Sequence, residues 1–201
     1  MSIVTLVSGG IDSSLLALLI KEQGIPQFPL FVDYGQLSLQ QEWAACKAFH
    51  KQHDLSIPKK VNLSGFGKTI ISGITCNNLD VKNNAFLPGR NFLFLLAGSS
   101  YAYQKEANAV AIGLLNEDVS IFPDQTSEFL EAAQGAIARA LGKNIKILAP
   151  LMTLNKGDIL ELAKLRSISN TYSCHSGNKE PCGVCISCLE MLHAKEEKGE
   201  K

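Results

Sequence analysis

The stretch Ile3-Val4-Thr5-Leu6-Val7-Ser8-Gly9-Gly10-Ile11-Asp12-Ser13-Ser14 decides the fold of this chain. Its first five residues form a short apolar, β-branched run, which reads as a buried strand. Two glycines break that run, and from Ser13 to Glu22 leucines recur at helical spacing. A strand, a Gly-Gly turn and a helix in this order aim backbone N–H groups inward at the positive end of a helix dipole, with no Cβ in the way. Such a cup holds phosphates. Taken alone, Gly-Gly is also an ordinary turn, with Asp12 or Ser13 as a helix cap. The whole string placed after a first strand is what gives the phosphate reading its weight.

Working outward, Phe28 to Asp33 predicts a second buried strand. Gln36 to His53 predicts a helix offering Trp43, Ala44, Cys46 and Phe49 for packing, and Ile57 to Leu63 a third strand. Ser64 to Leu87 is rich in Gly, Asn and Ser, lacks a clear period and ends at Pro88-Gly89, so a long surface loop of the kind that forms lids is expected. Asn91 to Gln104 reads as a buried helix, Ala109 to Leu114 as a strand, and Thr126 to Leu141 as a helix with Phe129, Ala133 and Ile137 on one face. Ile145 to Leu148 is a last strand, and Leu154 to Leu165 an amphipathic helix. Strands alternating with helices imply right-handed crossovers, hence an α/β fold built on an open parallel sheet with helices on both faces. The expected units are a main domain over 1–166, a cysteine-bearing segment over 167–193 and a charged, frayed tail over 194–201.

At 201 residues, with 46% hydrophobic and 19% charged, the chain suits one well-buried core. Lys+Arg and Asp+Glu both number 19, so no positive surplus argues for nucleic-acid binding, and a small-molecule substrate is the simpler expectation. The apolar stretch Asn91 to Tyr103 is too short to span a bilayer, and Met1-Ser2-Ile3 lacks the basic region of a secretory signal. A cytoplasmic protein is expected.

Four of the six cysteines fall in Cys174-x₇-Cys182-x₂-Cys185-x₂-Cys188, where Gly177, Pro181 and Gly183 supply tight turns. Four thiolates at this spacing are the usual set for a structural, tetrahedral zinc. An iron–sulfur cluster is the competing metal, although the usual Cys-Pro ending is missing. His175 reads as a flanking surface imidazole, with a spare role as ligand, and the isolated Cys46 and Cys76 as small core hydrophobes.

Two look-alikes are set aside. Gly67-Lys68-Thr69 resembles the tail of a Walker A loop but has Asn62 where the leading glycine belongs, and Gly65-Phe-Gly67 lacks the third glycine of a dinucleotide fingerprint. Arg90, set by the Pro88-Gly89 turn before a helix that Asn91 can cap, and Lys156, at the start of a helix after a strand, are candidate cations for a phosphate site. Gly113 closes the strand that starts at Ala109, a place where glycine more often marks tight packing than ligand contact.

The string Ser8 to Ser13 matches the Ser-Gly-Gly-x-Asp-Ser signature of the PP-loop ATP pyrophosphatases, which have the adenine nucleotide alpha hydrolase-like fold. The resemblance implies ATP held by Ser8, Gly9, Gly10, Ile11, Asp12, Ser13, Ser14 and Gly113, cleavage between its α- and β-phosphates, and charge met by Mg²⁺ with Asp12, Arg90 and Lys156 as catalytic groups. Together with Pro88-Gly-Arg-Asn91, Ile121-Phe-Pro-Asp124, Pro150 to Lys156 and the cysteine spacing, the chain resembles the 7-cyano-7-deazaguanine synthase family over nearly its whole length. That resemblance implies adenylation of the carboxylate of 7-carboxy-7-deazaguanine, amide formation with ammonia, and conversion to a nitrile that feeds queuosine synthesis. It further implies Zn²⁺ on Cys174, Cys182, Cys185 and Cys188, substrate near Tyr34, Gly35, Gln36, Asn91 and Asp124, and a homodimer.

The departures fall close to the implied pocket. Leu37-Ser38 stands where the family has Arg-His, Phe122-Pro-Asp-Gln-Thr126 replaces Tyr-Pro-Asp-Cys-Arg, and Tyr172, two places before Cys174, stands where a Trp adjacent to Ser-Cys is expected. Three alternatives therefore stand beside the synthase. One is a paralogue that transfers the activated deazapurine acyl group to a protein amine, another a tRNA-thiolating PP-loop enzyme, and the third a binding protein without ATP turnover.

Overall fold

In the computed structural model, which describes residues 1–116, 121–197 and 199, β1 (Ile3–Val7) is the central strand and is buried along its whole length. It pairs in parallel with β2 (Gln27–Asp33) on one side, Val7 opposite Phe31, and with β4 (Ala109–Ala111) on the other, Thr5 opposite Ala111. β3 (Lys59–Asn62) joins the outer edge of β2, and β5 (Lys146–Leu148) that of β4, giving a five-stranded parallel sheet in the order β3-β2-β1-β4-β5. The chain thus moves outward from β1 to β3 and then returns past β1 to β4. Where that order reverses, between the carboxyl ends of β1 and β4, a crevice opens in which ligands of such sheets bind.

Alternation along β1 separates the two sides of the sheet. Val4 and Leu6 pack with Leu95 and Ala102 of α4 (Arg90–Gln104) and with Ala133 and Ile137 of α5 (Ser127–Leu141). Ile3 packs with Leu15 and Leu16 of α1 (Ile11–Glu22) and with Ile159 and Ala163 of α6 (Lys156–Leu165). Val7, Ala17 and Phe31 receive Cys46 from α2 (Leu39–Gln52), as expected of a core thiol; Cys76, in contrast, is only half-buried.

The segment read as a surface loop over 64–87 is different in structure. It contains a short helix, α3 (Gly65–Thr69), and drives Ile74, Ala85 and Leu87 into the main core at 1%, 3% and 2% exposure. Two side-chain turns fold it back: Thr75 Oγ1 accepts from Ser72 N, and Asp80 Oδ1 accepts from the amides of Lys82 and Asn83. The buried residues are single anchors between turns, so they carry no period. Of the tail expected from Ala194 onward, the part up to Glu197 belongs to α7 (Ile186–Glu197), in which Ala194 is only 4% exposed. Residues 198, 200 and 201 of that expected tail lie outside the described residues.

Candidate active site

The turn after β1 is clamped from two sides. Gly9 sits at φ +85°, and a Cβ there would strike the Glu42 carbonyl and lie 2.8 Å from Cys46 N, so only glycine lets the turn rest against α2. Within the turn, Ser13 Oγ accepts from Ser8 N at 3.1 Å and donates to Gly10 O at 3.1 Å, while Ser8 Oγ accepts from Gly10 N at 3.2 Å. From the far end of the sequence, Tyr172 N donates to Gly9 O at 2.9 Å and Ser173 Oγ accepts from Ile11 N at 3.3 Å.

Asp12 in the first turn of α1 meets Lys156 Nζ at 2.8 Å from both carboxylate oxygens. Lys156 is only 9% exposed and emerges from the start of α6, where Asn155 and Asp158 exchange cap bonds of 2.9 Å. Glu190 of α7 lies 4.0 Å from the same ammonium; burial raises its pKa, Lys156 opposes that and Asp12 adds to it.

Asp12 and Glu190, though not Lys156 itself, border a cleft of about 260 Å³ at the carboxyl ends of β1 and β4. Ser8, Gly10, Asp12 and Ser13 of the turn after β1, with Gly113, form one side of it. Across it stand Arg90 and Asn91 at the start of α4, with Tyr34, Phe94 and Phe122 as aromatic wall. The Arg90 charge acts on the Tyr34 hydroxyl, whose pKa burial raises against it, and the guanidinium lies 6.0 Å from the Phe94 ring centre.

Several residues singled out from sequence are placed differently from one another. Gln36 lines the cleft, but its Oε1 accepts from Tyr34 N and its Nε2 donates to Val32 O and to Glu42. Asp124 is buried, and its Oδ2 accepts from Asn91 N at 3.2 Å while its carbonyl accepts from Asn91 Nδ2 at 2.8 Å. Asn91 therefore does not cap α4; it is held by Asp124. Ile11 and Ser14 are buried within α1, and neither they nor Gly9, Asp124 and Lys156 are among the cleft-lining residues.

Other cleft residues escaped the sequence reading: Glu42, Phe94, Ser173, His175 and Glu190. Glu42 accepts from Gln36 Nε2 at 3.0 Å and Ser38 Oγ at 2.7 Å, and burial raises its pKa against those bonds and the Arg90 charge. His175 is not a surface imidazole. Its Nδ1 is buried without a hydrogen-bond partner among the described residues, and burial, with Arg90 and Lys156 nearby, pushes its pKa down to about 4. The usable signal was the polar string Tyr172-Ser173-Cys174-His175 itself, since a cysteine that joins a buried four-thiol cluster draws its neighbours inward.

The thiols of Cys174, Cys182, Cys185 and Cys188 lie within 4.8 Å of one another and could hold a metal ion. Zn–S bonds of about 2.3 Å set tetrahedral sulfurs about 3.8 Å apart, so the set fits such an ion with little adjustment. Cys174 Sγ accepts from Cys182 N at 3.3 Å, and Cys182 Sγ from Cys185 N at 3.4 Å. Burial pushes the Cys174 thiol up, but the bonds from Ser176 and Cys182 outweigh it and bring it down to about 6. His175 is not part of the cluster.

The family described as queuosine biosynthesis protein QueC matches residues 2–199. Two curated relatives, both named 7-cyano-7-deazaguanine synthase, come from Campylobacter jejuni, at 32% identity over 98% of this chain and 94% of theirs, and from Acetivibrio thermocellus, at 34% over 98% and 93%. Among solved structures, the U34-tRNA thiolase NcsA from Methanococcus maripaludis with its 4Fe-4S cluster superposes with a TM-score of 0.60 at 17% identity, covering 99% of this chain and 66% of that one. NMN synthetase from Francisella tularensis gives 0.52 at 15%, covering 100% and 78%. Both likenesses speak to the PP-loop fold alone. By its match over nearly the whole length and by these identities, the chain belongs to the QueC family of queuosine biosynthesis proteins.

Proposed function

We propose that this chain binds ATP across the turn Ser8 to Ser14 and transfers its adenylyl group to the carboxylate of 7-carboxy-7-deazaguanine or a close deazapurine acid. The observation that carries the reading is the clamped Ser-Gly-Gly turn at the reversal of strand order, with Lys156 on one side and Arg90 on the other. A carboxylate oxygen attacks the α-phosphorus and pyrophosphate leaves; charge that builds on the phosphates meets the turn's amides and the two cations. Ammonia then displaces AMP to give the amide, and a second adenylation, on the amide oxygen, makes that oxygen a leaving group and yields the nitrile. Asp12 would hold Mg²⁺, which would supply positive charge against the polyphosphate. Zn²⁺ on Cys174, Cys182, Cys185 and Cys188 would hold the strap at Tyr172 and Ser173 in place.

The aromatic and aliphatic wall suits a planar base, and no helix among the described residues is long and apolar enough to cross a membrane, which agrees with a cytoplasmic, small-molecule enzyme. The test is mass spectrometry of products after the metal-loaded protein meets ATP, the acid and ammonia. Nitrile with AMP and pyrophosphate is expected; folded protein that makes no AMP would reject the reading.

Transfer of the acyl group to a protein amine is the second reading, favoured by Gln125 and Thr126 in place of Cys and Arg. It predicts AMP without nitrile and a mass shift on a partner protein. A tRNA-thiolating role fits poorly with zero net charge, and metal analysis finding zinc in place of iron would remove it.

A further inference from the structure

The 3-10 turn Pro123–Gln125 is pinned to the start of α4 by the two Asn91–Asp124 hydrogen bonds. Its last residue folds its side chain back: Gln125 Oε1 accepts from Ile121 N at 3.1 Å and from Phe122 N at 3.0 Å. Two amide N–H donors converging on one atom require that atom to be the oxygen, so the orientation of this side-chain amide is fixed by its surroundings. Its NH₂ group therefore sits on the other branch of the amide, on a residue that lines the cleft beside Asn91, Phe122 and Arg90.

We propose that Gln125 is a specificity-determining residue: its side-chain NH₂, held in place by the Ile121 and Phe122 amides, donates a hydrogen bond to an oxygen of the acid substrate. The inference rests on the proposed function and adds to it the group that reads the acid. Specific sites place a few oriented polar groups on an otherwise apolar wall, and Ile121, Phe122, Phe94 and Leu114 supply that wall. The start of α4, with its dipole and Arg90, makes this side of the cleft the one that attracts a carboxylate. A donor already locked by two backbone bonds loses no rotamer freedom on binding, so little of its bond is spent on ordering. The thiol that the family pattern carries at this position is a weak donor and a weak acceptor, so the preset amide is particular to the string found here.

Glutamate separates the two roles of this side chain. In Gln125→Glu a carboxylate still accepts from Ile121 N and Phe122 N, so the turn survives, but the donor becomes an acceptor. Gln125→Met removes both roles. Binding of 7-carboxy-7-deazaguanine and of ATP is measured separately by calorimetry, together with melting temperature. Loss of one buried hydrogen bond predicts that Gln125→Glu weakens the acid about tenfold or more, leaves ATP within about twofold and leaves the melting temperature in place. Gln125→Met weakens the acid as well and also lowers the melting temperature. The neutral amide, 7-carbamoyl-7-deazaguanine, is the control for charge: it keeps an acceptor oxygen, so it too binds Gln125→Glu more weakly.

Wild-type acid affinity in Gln125→Glu, a loss shared equally by ATP, or full affinity for the neutral amide would each overturn the proposal. A wild-type protein that makes AMP from the acid while Gln125→Glu matches it defeats this inference alone. A wild-type protein that neither binds the acid nor makes AMP defeats the proposed function and this inference with it.

Discussion

The amide of Tyr172 donates to the carbonyl of Gly9 across 2.9 Å, joining the cysteine segment to the Ser-Gly-Gly turn through backbone alone. The next side chain repeats the tie, with Ser173 Oγ accepting from Ile11 N at 3.3 Å. Cys174 follows directly, so the order of the turn depends on what fixes that thiol. With a metal ion on the four thiols, as proposed, its chelation is expected to weaken ATP binding by about tenfold, the worth of one or two such bonds, while the sheet stays folded. Hydrogen exchange at the Tyr172 and Ile11 amides accelerates in the same experiment. Unchanged ATP affinity in fully metal-free protein would show that the two sites are independent.

Gly9→Ala puts a methyl group against the Glu42 carbonyl and 2.8 Å from Cys46 N, at φ +85°. Both contacts are helix backbone of α2, which cannot swing aside as a long side chain would. Backbone strain of this kind costs about 1–3 kcal/mol before any clash is counted. Thermal unfolding is expected to show a drop of several degrees, and a melting temperature equal to wild type would mean that the turn is looser than the structure has it.

The sequence pattern revealed β1, β2 and the Gly-Gly turn because apolar runs flanked by breakers have few alternative readings. It missed the buried course of Ile74, Ala85 and Leu87, since residues anchored singly between Asx and Ser/Thr turns leave no period to detect. The same limit applies to the site. A matched string records residue types, whereas the cleft depends on which lone pairs are already taken: those of Gln36 go to Tyr34 and Asp124 is engaged with Asn91. His175 was hidden for another reason, because its burial follows from the way Cys174 beside it converges with the thiols of Cys182, Cys185 and Cys188, which lie 7–13 residues beyond His175 along the chain.

His50 makes stability depend on pH. Its ring is buried in α2, and Nδ1 lies 2.7 Å from the Ser56 carbonyl. Burial lowers its pKa from 6.5, and the Ser56 bond opposes the shift without cancelling it. The unfolded chain therefore takes up this proton before the folded one does. The contribution is full above pH 6.5 and is lost as pH falls below that value toward the folded pKa, at up to about 1.4 kcal/mol per unit of displacement. Urea unfolding between pH 7.5 and pH 5 is expected to give a steeper loss for wild type than for His50→Gln; parallel curves would assign the acid sensitivity to other groups.

Lys156 is the cation whose charge and reach can be tested apart. Its ammonium is equidistant from both Asp12 oxygens at 2.8 Å, with side-chain exposures of 10% for Lys156 and 28% for Asp12. A pair this open to solvent on one side contributes only about 1 kcal/mol to stability, so Lys156→Met should fold and melt close to wild type. Its effect on chemistry is expected to be far larger, because a cation held in place beside the cleft acts on charge that develops only in the transition state. Removing one such group costs about 10²–10³ in rate. Lys156→Arg keeps the charge but replaces a compact ammonium with a planar fork that cannot occupy the same point between Asp12 and the phosphates, so it should recover only a small part of the loss. Single-turnover AMP formation checks both variants. Full activity in Lys156→Arg would mean that charge alone suffices, and full activity in Lys156→Met would mean that Lys156 serves only to neutralise Asp12.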